Sequence, residues 1–287
     1  MFPYLFRLPD WVPLLGGQPI TSFGVMLFLA FLAAGAVHRS ETKRIGGDPE
    51  VTWDLLFMAI IGGILGAKIY YIFLNFPQLI ADPAGLIFAR GGLVWYGGLI
   101  GGLVLVVWQI RKKGLGLAQQ ADMIAPGLAL AYGVGRIGCF LVGDDWGRPT
   151  GSWVGIAFPN GAPPTRVDII ERDFGIQVDP ELVARFGDIV PVHPTQLYEV
   201  GLSTLIFLLL WSIRRHNHSK GWLFMLWLAL AGAERFLVEF FRAKDDRFFG
   251  FLTLAQIISL TLVAVGLVGV SRLRLVGAGP NDAPSEA

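Results

Sequence analysis

The stretch Trp53–Leu74 reads WDLLFMAIIGGILGAKIYYIFL, and after Asp54 its one charged side chain is Lys68. The hydrocarbon core of a bilayer, about 30 Å thick, is crossed by about 20 predominantly apolar residues in an α-helix. This run is long enough. With no water in that core to satisfy backbone N–H and C=O groups, a spanning segment of this kind bonds its own backbone as a helix. Similar runs recur at residues 20–37, 92–110, 121–142, 195–213, 221–241 and 251–271. The sequence therefore predicts an all-α fold, a polytopic membrane helix bundle of about seven transmembrane helices, built as a single integral membrane domain over residues 1–287.

Composition agrees. Charged residues make up 16% of the chain, against about 25% in a typical soluble domain, and the mean hydropathy is +0.58. A formal net charge of +1 with scattered basic residues gives no stripe able to neutralise a run of phosphates, so no nucleic-acid partner is expected. One cysteine, Cys139, cannot build a disulfide framework or a multi-thiolate metal site within one chain. Neither zinc- nor calcium-ligand spacing is present, and neither a metal nor a cofactor is expected. A Gly-x-Ser-x-Gly nucleophile turn is missing as well.

The N-terminus lacks the basic region of a secretory signal, so the first apolar run is read as a retained anchor. The segment before it, with Pro3, Pro9, Trp11 and Pro13, is too short and proline-broken to span, and its aromatics suit the outer interface. Arg39, Lys43, Arg44, Arg111, Lys112, Lys113, Arg214, Arg215, Lys220, Arg272 and Arg274 crowd three short connections and the tail. The positive-inside rule makes these sites cytoplasmic, placing the N-terminus outside and the tail through Asn281–Pro284 inside. Residues 145–192 then form a polar head on the outer, periplasmic side, inserted between the fourth and fifth spans, with an amphipathic stretch at Pro180–Phe186. The chain has no internal repeat, which weighs against an inverted-repeat transporter. Gly62/Gly66, Gly97/Gly101 and Gly98/Gly102 have the small-xxx-small spacing that lets helix backbones approach, and packing is their favoured role.

Ionisable groups in hydrocarbon are costly, and each marks a functional site by default. Measured from the cytoplasmic helix ends at about 1.5 Å per residue, Lys68 lies about 22 Å deep and Arg136 and Arg235 about 21 Å. Glu239 and Arg242 follow Arg235 at i+4 and i+7 on the same helical face, which can bind an anion. Tyr96 enters this layer from the third span. His193-Pro194-Thr195-Gln196-Leu197-Tyr198-Glu199 opens the fifth, with polar groups facing the same level, and Asp144 and Asp145 follow the Arg136 helix. The structural alternatives are that Lys68 and Arg242 reach to headgroups, and that Arg136 and Arg235 pair with Asp144 and Glu239 to hold the bundle.

The block Gly135-Arg136-Ile137-Gly138-Cys139-Phe140-Leu141-Val142-Gly143-Asp144-Asp145-Trp146-Gly147-Arg148 resembles the Gly-Arg-x-Gly-Asn-Phe-x-Asn-Gly-Glu-x-Trp-Gly-Arg signature of the bacterial prolipoprotein diacylglyceryl transferases. Residues 193–199, 235–242 and 62–68 support the resemblance, which covers nearly the whole chain from Phe23 to about Ser259. It implies transfer of a diacylglyceryl group from phosphatidylglycerol to the lipobox cysteine thiol in the signal-peptide region of a prolipoprotein, in the bacterial cytoplasmic membrane, with release of glycerol 1-phosphate. On that reading Arg136, Arg235, Tyr96 and Glu239 are catalytic. Lys68, Gly135, Gly138, Asp144, Gln196, Tyr198, Glu199 and Arg242 would bind substrate. Cys139 and Val142 replace asparagines of the signature and Asp144 a glutamate; Phe23 stands for a tyrosine, Lys68 for the common arginine and Tyr96 for a frequent histidine. The base that takes the thiol proton is thus open among Tyr96, Glu239 and Glu199. The competing reading is a non-catalytic or transport membrane protein that binds anionic phospholipid headgroups through the same layer.

Overall fold

The computed structural model describes residues 1–11, 16–89, 91–243, 247–248 and 252–273; Pro13, Arg274 and Asn281–Pro284 lie outside them. Among these residues seven helices have at least 18 residues: α1 (Ser22–Arg44), α2 (Val51–Leu74), α5 (Trp95–Lys112), α6 (Leu117–Val142), α9 (Thr195–Ile213), α10 (Trp222–Glu239) and α11 (Leu254–Arg272). Each coincides with one predicted run. Five of them, α1, α2, α6, α9 and α11, are long and apolar enough to cross a membrane. The other two fall short for visible reasons. Helix α5 starts Trp95-Tyr96 and ends Arg111-Lys112, while α10 carries Glu234, Arg235 and Glu239. Helix α1 runs on through Arg44, taking Lys43 and Arg44 into its last turn, where cations complement the helix dipole. Short helices α3 (Phe76–Ala81) and α4 (Pro83–Phe88) fill the connection before α5.

The chain divides into two compact units, residues 35–123 and residues 1–34 with 124–287. In the first, α2 and α5 pack glycine against glycine. A Cβ on Gly62 would meet the Gly101 carbonyl and one on Gly66 the Gly97 carbonyl, and the reciprocal contacts hold. This is the close backbone approach that the spacing predicts. Deeper in this unit, His38 bridges Thr52 Oγ1 and Gln120 Oε1 at 2.9 Å each, so a buried imidazole has both nitrogens partnered.

The second unit holds the head. Trp146, Phe158, Ile170, Val178, Val190 and Val192 form its buried core, around α7 (Val167–Phe174) and α8 (Pro180–Phe186). The amphipathic stretch is thus a helix with the predicted bounds, capped by Asp179, which accepts from Glu181 N. At the N-terminus, β1 (Tyr4–Arg7) pairs antiparallel with β2 (Pro19–Thr21). Phe2 N donates to Leu141 O at the end of α6, and Met1 packs on the head core. A second two-residue pair, β3 (Arg247–Phe248) with β4 (Leu252–Thr253), precedes α11. Large apolar side chains such as Leu205, Leu208, Leu260 and Leu267 face outward on α9 and α11. Such outward apolar faces are what lipid contact requires.

Candidate active site

Within the second unit, ionisable side chains from α6, α9, α10 and the loop after α6 form one continuous chain of alternating charge. Glu199 pairs with Arg136, which pairs with Asp145 at 2.9 Å; Asp145 pairs with Arg242 at 2.8 Å. Arg242 approaches Glu239 at 3.6 Å, and Glu239 pairs with Arg235 at 2.5 Å. Arg136, Glu199, Glu239 and Arg242 are all buried. Buried charges persist when paired and hydrogen-bonded, and this chain supplies both. Tyr132, one turn before Arg136 on α6, donates to Glu199 at 2.7 Å. Thr253 donates to Glu239 at 3.0 Å while accepting from Gln256 N in a capping box that starts α11.

Asp145 is the link between the two ends. Helix α6 stops at Gly143, whose φ of 75° an L side chain rarely adopts, and Asp145 itself has φ 55°. That turn sends the Asp145 carboxylate between Arg136 and Arg242. Thr195 Oγ1 bonds the Asp145 carbonyl at 2.7 Å, and Gln196 bonds the Asp144 carbonyl, so the start of α9 fixes the loop. Burial alone would raise the Asp145 carboxyl, but Arg242 and Arg136 together hold it well below the usual carboxylate range. Its neighbour shifts the other way: burial, then the Asp145 charge, raises Asp144. Burial works against the charge on Arg242, yet Asp145 and Glu199 outweigh it and raise this guanidinium.

The sequence-predicted residues thus have different surroundings. Arg136, Arg235, Glu239, Glu199 and Arg242 come together. Arg242 lies past the end of α10 yet still faces Glu239. Arg136 pairs with Asp145 and Glu199 and not with Asp144, whereas the pairing of Arg235 with Glu239 is the one anticipated. Asp144 offers its carbonyl to Gln196, its carboxyl meets the Cys139 thiol, and its Oδ1 has no hydrogen-bond partner among the described residues. Tyr198 points away from the chain, its hydroxyl 3.0 Å from His193 Nδ1 and its ring against Phe241. Gly138 packs on Phe23 and Met26 of α1, while nothing lies near a Cβ built on Gly135. Lys68 and Tyr96 belong to the other unit. There Lys68 Nζ donates to Ala89 O and Gly91 O at 2.7 and 3.2 Å, and the half-exposed Tyr96 ring meets Trp95 edge-on.

Three members were missed in the sequence. Asp145 was passed over for Asp144 because backbone turns decide which of two adjacent carboxylates faces the arginines. Tyr132 could have been found, since i and i+4 share a helix face with Arg136. Glu234, buried on α10 next to Arg235 in sequence, does not stand out in the sequence because the adjacent cation offsets its charge. Cys139, Asp144 and Asp145 offer possible ligand atoms within 4.8 Å of one another, but both Asp145 oxygens are already held by arginines, which favours an ion-pair link over a metal site.

What the arrangement can do is receive an anion. The Arg136 Nε and Arg235 Nη1 atoms are buried without a hydrogen-bond partner among the described residues, although the carboxylates hold both guanidinia in place. A cavity of about 260 Å³ beside the chain is lined by Asp144, Asp145, Trp146, Phe174 and Arg242, among others.

Comparison with known proteins decides the family. The model of the prolipoprotein diacylglyceryl transferases matches residues 10–272. The chain belongs to this family. A phosphatidylglycerol–prolipoprotein diacylglyceryl transferase from Clostridium tetani is 32% identical over 269 residues, 93% of this chain and 96% of that one. Proteins of the same name from Vibrio atlanticus and Xanthomonas axonopodis pv. citri are each 34% identical, covering 88% and 92% of this chain and 86% and 91% of their own lengths. Relatives are matched over nearly their full length, and this chain's five long apolar helices make it a multi-pass membrane protein of that family.

Proposed function

We propose that this protein transfers the diacylglyceryl group of phosphatidylglycerol to the thiol of a prolipoprotein cysteine. The observation that carries the reading, beyond family membership, is the chain of alternating charge that leaves donors on Arg136 and Arg235 uncommitted. In the reaction the thiol sulfur attacks the glyceryl carbon esterified to phosphate. A C–S bond forms, the C–O bond breaks, and the glycerol phosphate leaves with the bonding pair. Negative charge grows on the leaving phosphate, and donors fixed at that position lower the barrier. Arginine suits this role because its planar fork can hold a neighbouring carboxylate and still present N–H groups to phosphate.

Asp145, Glu199 and Glu239 fix the guanidinia before substrate arrives, so little reorganisation is left for the reaction step. They also offset the positive charge, which eases its burial in a lipid-embedded unit. The acceptor is the cysteine of a lipobox in a secreted precursor. The membrane is the bacterial cytoplasmic membrane, with the N-terminus and the head at 145–192 outside and the tail inside, supported by the basic residues flanking the helices at the opposite end. The test is direct. Purified protein is incubated with phosphatidylglycerol and a lipobox peptide, and the thioether product and released glycerol phosphate are measured by mass spectrometry. Phospholipid binding without either product would instead make this a headgroup-binding protein.

A further inference from the structure

Of the carboxylates around Arg136, two form no ion pair with an arginine among the described residues, Asp144 and Glu234. Glu234, on α10, is 6% exposed, and its Oε1 has no hydrogen-bond partner among the described residues. It interacts electrostatically with Glu199 of α9 and with Arg136 and Tyr132 of α6. Among the described residues these are the charged and titratable groups that reach it from α9 and α6, and α11, which also packs on α10, carries none before Arg272. Glu234 precedes Arg235, so the two side chains leave α10 about 100° apart. Arg235 turns to Glu239 and the outer end of the chain, and Glu234 turns to the Glu199–Arg136–Tyr132 corner.

Three of the other carboxylates are committed. Glu199 holds Arg136 and the Tyr132 hydroxyl, Asp145 holds Arg136 and Arg242, and Glu239 holds Arg235, Arg242 and the Thr253 hydroxyl. Lone pairs already engaged by cations are poorly placed to take a proton. A buried carboxyl with no hydrogen-bond partner on one oxygen is otherwise an uncompensated cost. Such a cost is retained where the group has a proton to handle. Asp144 also has an uncommitted oxygen, but its carboxyl already meets the Cys139 thiol.

We propose that Glu234 is the proton acceptor for the substrate thiol, the base that the sequence left open among Tyr96, Glu199 and Glu239. This rests on the transferase reading above. In the step, the thiol proton passes to the Glu234 carboxylate as the sulfur lone pair forms the C–S bond. The C–O pair departs on the phosphate, and Glu234 then gives the proton to the released phosphate or to water. Arg136, paired with Glu199 and within electrostatic reach of Glu234, serves both halves by steadying the leaving phosphate and holding Glu199 in place.

The experiment compares wild type, Glu234→Gln, Glu234→Asp, Asp144→Asn and Tyr96→Phe in detergent or nanodiscs, with phosphatidylglycerol and a lipobox peptide. It reads kcat from pH 5 to 9, phosphatidylglycerol affinity and the thermal midpoint. General-base catalysis is worth about 10²–10⁴-fold, so Glu234→Gln is expected to lose kcat on that scale. It should also lose the rising acid limb of the pH profile while keeping lipid affinity and thermal midpoint, and Glu234→Asp should restore part of the rate with its acid limb displaced. An unchanged kcat and profile in Glu234→Gln overturns the proposal. So does a loss of lipid affinity or of the thermal transition in both Glu234 variants, which would make the carboxyl structural. Loss of the acid limb in Asp144→Asn or Tyr96→Phe, but not in Glu234→Gln, assigns the base to that residue instead. A wild type that makes no thioether fails the transferase reading itself and is distinguishable from all of these.

Discussion

Asp145 joins Arg136 to Arg242 through separate oxygens and reaches them from a left-handed backbone position at φ 55°. Removing its charge leaves two buried guanidinia each short of a partner. Breaking a fully buried pair costs about 3–5 kcal/mol; the Asp145 side chain is 40% exposed, so solvent screening reduces this to about 2 kcal/mol. Asp145→Asn is therefore expected to lower the thermal midpoint at pH 7. The folded-state pKa of Asp145 is depressed, so its contribution is complete above the ordinary carboxylate value of about 3.9 and is lost as pH falls through the depressed one. The gap between wild type and variant should stay constant from pH 7 to about pH 4 and close only in stronger acid; a gap that closes by pH 5 would show that Asp145 is not held low. Arg136→Lys tests the other side of the link. Lysine cannot serve Glu199, Asp145 and a phosphate together, and kcat is expected to fall about 10²–10³-fold, the scale of losing one preorganised donor. Unchanged turnover would remove Arg136 from the chemistry. At this scale the sequence revealed the cations, because a charge inside an apolar run is visible by itself. It did not reveal Asp145 over Asp144, which depends on backbone torsion, or the turning away of Tyr198, which depends on the phase with which α9 begins.

At the scale of elements, the long helices were legible because lipid imposes one rule on every spanning segment: enough apolar residues, with the backbone bonded internally. Their ends were less so. α1 runs on through its basic cluster, and α11 starts late because Thr253 caps it with Gln256, a local bond that hydropathy does not register. That α2 and α5 carry close-packing faces was legible from glycine spacing, the pairing of the two helices was not, and the geometry of their contact yields a sharp expectation. A Cβ on Gly97 would run into the Gly66 carbonyl and the Tyr70 Cβ, whereas one on Gly63 comes no closer than 4.0 Å to the Gly98 carbonyl. Gly97→Ile should force the helices apart at a cost of about 1–3 kcal/mol, the usual range for overpacking, while Gly63→Ala should be nearly neutral. Thermal unfolding in detergent, followed by circular dichroism, measures both. Equal midpoints for the two variants would mean that α2 and α5 do not pack glycine to glycine.

At the scale of the molecule, the head and the membrane-embedded helices answer to different solvents. The head buries its own core of Trp146, Phe158, Ile170 and Val190, while α9, which leaves the head at Thr195, carries apolar side chains outward until Ile213. Its 19 residues rise about 28 Å at 1.5 Å per residue, close to the thickness of the hydrocarbon core. The two ends of α9 should therefore lie on opposite faces of the membrane, the head end outside because Arg214, Arg215 and Lys220 mark the other end as cytoplasmic. The single cysteine makes this testable with little background, since Cys139 is buried. Trp153, 95% exposed in the head, and Asn217, exposed beyond α9, are each replaced by cysteine. In intact spheroplasts, a membrane-impermeant maleimide should label Trp153→Cys at once and Asn217→Cys only after the membrane is opened. The reverse order would invert the protein and put the charged chain at the cytoplasmic end of its helices, where a secreted precursor presenting its cysteine from outside could not reach it.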